Sequence, residues 1–148
     1  MREFSVPASV RVDDGDTLSD TVFALAEEHP GAVALRRRLD DGWVDVTYAA
    51  FTAEVVAVAR GLIASGIEPG DRVALLSRTR YEWTLFDYAI VVAGAVTVPI
   101  YETSSADQVA WILADSGAKA VIVEDDRHAA TVTSRSDAPE HIWRIAPD

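Results

Sequence analysis

Asp71–Ser105 reads DRVALLSRTRYEWTLFDYAIVVAGAVTVPIYETSS. Val73–Leu76 is a continuous apolar run, and Ala95–Ile100 is a second. Between them, Thr79 and Glu82 have the spacing of a capping box, which predicts that a helix starts there. Leu85–Ala93 is apolar nearly all round, as in a helix buried on more than one side. Gly94 ends it. Strand, helix, strand at this length is a βαβ unit near the minimum that a parallel crossover needs. Pro99 has no amide to donate, so it belongs near the end of its strand or where the ladder needs no donor.

Towards the N-terminus, Thr47 can cap a helix over Tyr48–Ser65. Its apolar stripe is Tyr48, Phe51, Val55, Ala59 and Leu62, and Gly66 sits at the left-handed C-cap position. Val33–Arg38 and Trp43–Thr47 read as a hairpin, with Asp40, Asp41 and Gly42 as the turn. Thr17 can cap a first helix, with Asp20 at its third position and Leu18, Val22, Leu25 and Ala26 on one face. Pro30 and Gly31 end that helix. Residues 1–16 form an irregular lead-in.

Towards the C-terminus, Ser105 and Gln108 repeat the capping-box spacing, with Ser104 and Asp107 as the other register. Val109, Ile112 and Leu113 share a face of that helix, and Gly117 stops it. Lys119–Val123 reads as a strand, Glu124–Ser136 as a polar helix or helical turn, and His141–Ile145 as a last strand. The alternation predicts an α/β fold. Its sheet is open and mostly parallel, with helices on both faces and an N-terminal β-hairpin, and residues 17–148 form one lobe.

The chain has 148 residues, 49% of them hydrophobic, a formal net charge of −11 and no cysteine. The charge argues against a nucleic-acid surface and against simple attachment to an anionic membrane. The lack of cysteine excludes disulfides, thiolate metal sites and a cysteine nucleophile. The longest apolar stretch falls short of a membrane span. A cytoplasmic location is expected, with peripheral attachment at the membrane left open.

In an open α/β sheet, ligands sit beyond the carboxyl ends of the strands. Two loops qualify, Ser77–Arg80 and Tyr101–Ser105, and each leads into a helix N-terminus that favours an anion. Arg78 and Arg80 are therefore candidate anion contacts. Tyr101, Glu102, Thr103 and Ser104 are candidates for a substrate-binding cleft edge. Caps and solvated side chains are the plainer alternative for both loops. Arg36, Arg37 and Arg38 read either as a phosphate contact or as exposed charges that keep an edge hairpin from pairing. Glu124, Asp125 and Asp126 read as a solvated acidic loop or a magnesium site. His29, His128 and His141 are isolated, without metal spacing, and each is expected at the surface or as filler. Trp83, Trp111 and Trp143 are expected in core or inter-lobe packing. There is no GxGxxG loop, no GxxxxGK[ST] loop and no GxSxG elbow.

The wording of the chain adds a resemblance. Pro69-Gly70-Asp71-Arg72-Val73, Tyr81-Glu82-Trp83, Ala93-Gly94-Ala95-Val96, Val98 through Ser105 and the Asp115-Ser116 helix end occur in order. Trp43 through Tyr48 precedes them. Together they resemble the N-terminal region of adenylate-forming acyl-CoA synthetases, most of all the actinobacterial long-chain fatty-acid–CoA ligases. The resemblance runs from about Leu18 to the end.

It implies activation of a fatty acid by ATP to an acyl-adenylate, followed by thioester formation with coenzyme A, with Mg2+ as a further cofactor of the full-length enzyme. The family's Ser/Thr/Gly-rich phosphate loop, its later nucleotide motifs and its C-terminal catalytic lysine have no counterpart here, since the one lysine, Lys119, lies in a different context. No catalytic residue is carried over. The resemblance thus implies a fragment, inactive alone, whose partner is the rest of the ligase or a second copy covering an exposed apolar face. It also implies that the helix Glu82–Ala93 contributes to acyl-chain packing. A stand-alone interaction module and another adenylate-forming ligase are the alternatives.

Overall fold

A computed structural model describes residues 4–7, 9, 12–134 and 138–145. Its elements are α1 (Asp20–Glu28), β1 (Val33–Leu39), β2 (Gly42–Thr47), α2 (Tyr48–Ala64), β3 (Arg72–Leu76), α3 (Tyr81–Val92), β4 (Val96–Ile100), α4 (Ala106–Ser116), β5 (Ala120–Val123), α5 (Asp126–Thr133) and β6 (His141–Arg144). Part of the expected lead-in, and the last two residues of the expected helix Glu124–Ser136, lie outside the described residues.

β3, β4, β5 and β6 form a parallel sheet in the order β4-β3-β5-β6, and β1 and β2 form a separate antiparallel hairpin. β3 is the inner strand that the βαβ reading required. Its alternating side chains divide the core in two. Val73 and Leu75 join Phe51, Val55, Ile90 and Ile122 on the face covered by α1, α2 and α3. Ala74 and Leu76 join Val109, Leu113, Val121 and Val123 on the face covered by α4 and α5. β3 and β5 are buried on both sides, which is why they read as unbroken apolar runs. Pro99 lies on β4, an edge strand of the described sheet, opposite Leu75.

Two helix starts follow the expected chemistry, and a third has a cap that the sequence reading did not assign. Thr47 Oγ1 accepts from the Ala50 amide at 3.2 Å. Ser105 and Gln108 form the full capping box, so the Ser104 register is not used. Asp125 caps α5. Two others differ. α1 starts at Asp20, not at Thr17, because the Asp20 carboxylate accepts from both the amide and the hydroxyl of Thr17, at 2.7 and 2.5 Å. Leu18 is left 84% exposed, outside the helix and off its buried face. The Thr79–Glu82 box does not form, and α3 has no side-chain cap. Glu82 is drawn into ion pairs with Arg37 and Arg80 instead. Trp111 is 66% exposed on α4, so it packs in no core of this chain.

Gly94 closes α3 at φ +77°, and a Cβ there would lie 3.3 Å from the Pro69 Cβ. Gly94→Ala is expected to cost about 1–2 kcal/mol. Gly61, inside α2 with open space around it, is the opposite case. Gly61→Ala is expected to add about 0.5–1 kcal/mol, and urea unfolding of the two variants checks the difference in sign.

At the amino ends of the sheet strands, two cations tie helix ends to strands. Lys119 Nζ donates to the Gly66 carbonyl at 2.7 Å and to Asp71 Oδ2 at 2.9 Å. Arg72 donates to the Ser116 and Gly117 carbonyls at the end of α4, at 2.9 and 3.1 Å. Positive charge at a helix C-terminus complements its dipole.

The Glu68 amide, and then Lys119, hold the Asp71 carboxyl below its ordinary value. The hydrogen bond to Asp71 raises Lys119. Folded Asp71 thus binds protons less readily than unfolded Asp71. Its contribution is complete above the unfolded carboxyl pKa, about 4, and is lost as pH falls through the lower folded value. The Lys119 contribution is complete below about pH 10 and is lost as pH rises through the raised folded value. Urea midpoints are therefore expected to be level between about pH 5 and 9 and to fall on both sides. Asp71→Asn should flatten part of each limb.

Candidate functional site

The two loops singled out by sequence meet at the carboxyl ends of β3 and β4. They line a cleft of about 410 Å³ with Ser77, Arg78 and Thr79 on one wall and Pro99 to Glu102 on the other, and Trp83 between them. Tyr101 is 86% exposed at the rim. The Ser104 amide donates to the Tyr101 carbonyl at 3.0 Å, so Tyr101 to Ser104 form a tight turn into α4. Arg78, Tyr101 and Glu102 thus meet at one opening. Thr103 and Ser104 follow in the same turn but do not line the cleft.

The two arginines are held from behind by acids. Arg78 Nε lies 2.6 Å from Glu124 Oε1, and the Arg78 amide donates to Glu124 Oε2 at 3.0 Å. Ser77 Oγ is 3.3 Å from the same carboxylate. Arg80 turns away from the cleft, with its Nε 2.5 Å from Glu82 Oε2 and its Nη1 3.7 Å from Glu124 Oε1. The Glu124 and Glu82 side chains are only 9% and 11% exposed. Low accessibility strengthens these charge-assisted bonds and makes each carboxylate costly to leave alone.

Glu124 stands where topology places a ligand. From β3 the chain crosses through α3 to β4 on one side, and from β5 it crosses through α5 to β6 on the other. The crevice between the carboxyl ends of β3 and β5 is therefore the switch point of the sheet. Val123 pairs with Leu76, so the next residues, Glu124 and Ser77, come face to face there. Sequence reading missed this role. The signal was an acid directly after the AVIV strand, the first of three, with a Ser-Arg after the neighbouring strand.

Within the acidic run Asp125 and Asp126 are exposed, as in the solvated-loop reading, and only the Glu124 side chain is nearly buried. Asp125 Oδ1 accepts from the His128 amide at 2.9 Å, and Asp126 pairs with Arg144. Among the described residues, no three His, Cys, Asp or Glu side chains come together as a metal site. His128 is buried at 3% exposure, with Nδ1 2.8 Å from Asp125 Oδ1. Among the described residues, no helix is long and apolar enough to cross a membrane.

A second groove, of about 480 Å³, lies on the other side of the Ser77–Arg80 loop, between that loop, the hairpin and the start of α3. Arg37 bridges it. Its Nη2 is 2.6 Å from Glu82 Oε1, and its guanidinium lies over the Tyr81 ring, 5.0 Å from the centroid. The Tyr81 phenol donates to Glu54 at 2.9 Å, and its pKa is pushed well above the ordinary value, by burial first and then by that carboxylate. The hairpin arginines are therefore only partly a charged edge. Arg36 pairs across the hairpin with Asp45 at 2.8 Å, Arg37 docks the hairpin on α3, and Arg38 lies over the Trp43 ring.

α3 spends its buried residues on this chain's own core: Leu85, Ala89 and Ile90 all pack with α2 and β3. Large apolar side chains left exposed on or beside β4 and α4 are Val96, Tyr101 and Trp111.

Residues 22–146 match the family model described as AMP-binding enzyme. The chain is 48% identical to the long-chain-fatty-acid–CoA ligase FadD15 of Mycobacterium bovis over 136 residues, which is 92% of this chain and 23% of that ligase. It therefore spans about a quarter of that relative's length. It is also 31% identical to an uncharacterized protein of Mycobacterium tuberculosis over 85% of its own length and 70% of that protein's. Among solved structures, the N-terminal domain of FACL13 from Mycobacterium tuberculosis superposes with a TM-score of 0.72 at 30% identity, over 84% of this chain and 32% of that one.

Proposed function

We propose, from the premise that this chain belongs to the AMP-binding enzyme family, that it is one lobe of a long-chain fatty-acid–CoA ligase. The observation that carries the reading is the 48% identity to the FadD15 ligase across nearly the whole chain. The reaction would use ATP and coenzyme A. A carboxylate is a poor electrophile, and adenylation gives it a leaving group that the thiol then displaces. Nothing in this lobe performs either step. Its part is to present the cleft rim, with Tyr101 and Glu102 at the opening and Thr103 and Ser104 shaping the turn beneath.

Magnesium, where the reaction uses it, would be held elsewhere, because Glu124, Asp125 and Asp126 are each taken by their own partners. The remainder of the ligase, or a second copy, would cover Val96, Tyr101 and Trp111. The location in this reading is the cytoplasm, with peripheral contact at the membrane as a further option.

A second reading has its own support. The chain covers 70% of the uncharacterized mycobacterial relative, so a protein of nearly this size carries the same lobe. That favours an interaction module without ligase activity. The test is an assay of palmitoyl-CoA and AMP formation from palmitate, ATP and coenzyme A. The 148-residue chain alone should give none, while a protein encoded through Asp148 into a Ser/Thr/Gly-rich phosphate loop should turn over. Turnover by the 148-residue chain would overturn the assignment of the chemistry elsewhere. A stop codon directly after Asp148 would leave the module reading in place.

A further inference from the structure

The sheet of β3, β4, β5 and β6 has two open edges, β4 and β6, and they offer a further strand different things. In a parallel ladder, alternate residues turn their N–H and C=O groups towards opposite neighbours. On β4, the Val96 amide donates to the Asp71 carbonyl at 2.8 Å, so Val96, Val98 and Ile100 face β3. Thr97 and Pro99 face outwards, and Pro99 has no amide to give. The Thr97 amide is thus the one donor that β4 presents at its free edge, and a proline at such a position discourages pairing.

β6 is the opposite case. The Ile145 amide donates to the Val123 carbonyl at 2.9 Å, and Val123 is level with Arg144. Trp143 and Ile145 therefore bond towards β5, while Ile142 and Arg144 face outwards. Each of these two presents an amide and a carbonyl, and among the described residues nothing bonds to either amide. The strand is held from both faces. Ile142 packs with the cluster of Val121 and Val123, and Trp143 with that of Ile122. The His141 and Trp143 rings stack, 5.3 Å between centroids and 6° between planes. The Arg144 side chain is paired with Asp126 of α5. A strand fixed in this way with free ladder groups is a template for strand addition, and its preorganisation lowers the cost of pairing.

The lengths of the relatives say what would fill it. The matched part is 23% of FadD15 and 32% of the FACL13 N-terminal domain, so most of either chain lies outside this lobe. We infer that the sheet grows at β6 and not at β4: a strand from the part of the ligase outside these 148 residues pairs with the outward groups of Ile142 and Arg144. The inference rests on the reading of this chain as one lobe of a longer ligase.

Amide hydrogen exchange tests it, by NMR on the 148-residue chain and by mass spectrometry of peptides 95–101 and 139–145 from the protein encoded through Asp148. In the 148-residue chain, the Ile142, Arg144 and Thr97 amides should exchange fast, while those of Trp143 and Val98, which donate inside the sheet, stay slow. In the longer protein, the Ile142 and Arg144 amides should slow by about 100-fold or more, and Thr97 should not. Arg144→Pro removes one outward donor and leaves the bonds of Trp143 and Ile145 to β5, whereas Arg144→Ala removes the Asp126 pair alone. The gap in Tm between these two variants should be wider in the longer protein than in the 148-residue chain.

If Arg144→Pro does not fold, the exchange measurement on the parent sequence still decides. Slowing at both β6 amides with Thr97 unchanged supports the inference. Slowing at Thr97, or at fewer than both β6 amides, overturns it even where the longer protein makes acyl-CoA. A longer protein that protects both amides and makes no acyl-CoA counts against the ligase reading alone. A stop codon directly after Asp148 overturns both.

Discussion

Glu82→Ala is expected to lower the stability of this chain by on the order of 3 kcal/mol. Glu82 is 8% exposed as a residue and sits between two arginines on different elements. Arg80, at the start of α3, approaches one carboxylate oxygen at 2.5 Å, and Arg37, on the hairpin, approaches the other at 2.6 Å. Their side chains are 15% and 32% exposed, so neither guanidinium is well solvated where it stands.

Alanine removes the counter-charge that Arg37 and Arg80 share at a poorly solvated contact. For a chain of this size the loss corresponds to a fall in Tm of roughly 6–12 °C. Glu82→Gln keeps the shape and one acceptor, and should cost clearly less. The double variant Arg37→Ala/Glu82→Ala should be less destabilised than the sum of its single variants, because both changes remove the same ion pair. Thermal and urea unfolding of the four proteins measure this coupling. Additive single effects would mean that the hairpin docks on α3 by apolar contact alone.

Leu75→Ala should cost about as much or more, roughly 2–5 kcal/mol. Leu75 is 0% exposed on the inner strand and belongs to the cluster under α2 and α3. A truncated side chain there leaves a void between a strand bonded on both sides and two tightly packed helices, none of which can collapse into it. Leu75→Met conserves volume and should cost less than about 1.5 kcal/mol. Val96→Ala is the matched control: Val96 is also on a strand but is 50% exposed at the edge, and its change should stay within about 0.5 kcal/mol. Urea midpoints at unchanged slope would place the whole effect in the folded core.

The framework was legible because its causes are local. β3 and β5 are unbroken apolar runs since both faces are buried, and the Ser105–Gln108 box closes where its spacing puts it. Gly66, Gly94 and Gly117 all take positive φ at helix ends. What failed was decided by partners far away in sequence. Thr79 and Glu82 have the spacing of a cap, but Arg37, on the hairpin, outbids the Thr79 amide for the carboxylate. For Trp111 only the core half of its reading failed: it lies exposed on α4, which leaves the inter-lobe half standing.

The candidate site divides the same way. Both loops were found from strand ends, and the cleft between β3 and β4 joins them. The restraint of Arg78 and Arg80 by Glu124 and Glu82 was not, because it depends on which strands are neighbours. The order β4-β3-β5-β6 is a tertiary fact, and only that order sets Glu124 beside Ser77.

The placement of Glu124 has a consequence for any free anion that reaches the sheet. Its carboxylate occupies the switch-point crevice while covalently tied to β5, and it takes the Arg78 amide that a diffusing anion would need. It acts as a tethered competitor. Tethering presents it at an effective concentration of about millimolar or above, whatever the surroundings contain. A soluble oxyanion at micromolar level cannot displace it, so the crevice is deaf to ordinary swings in metabolite concentration. Arg78 can be reached by a visitor only on its outward edge.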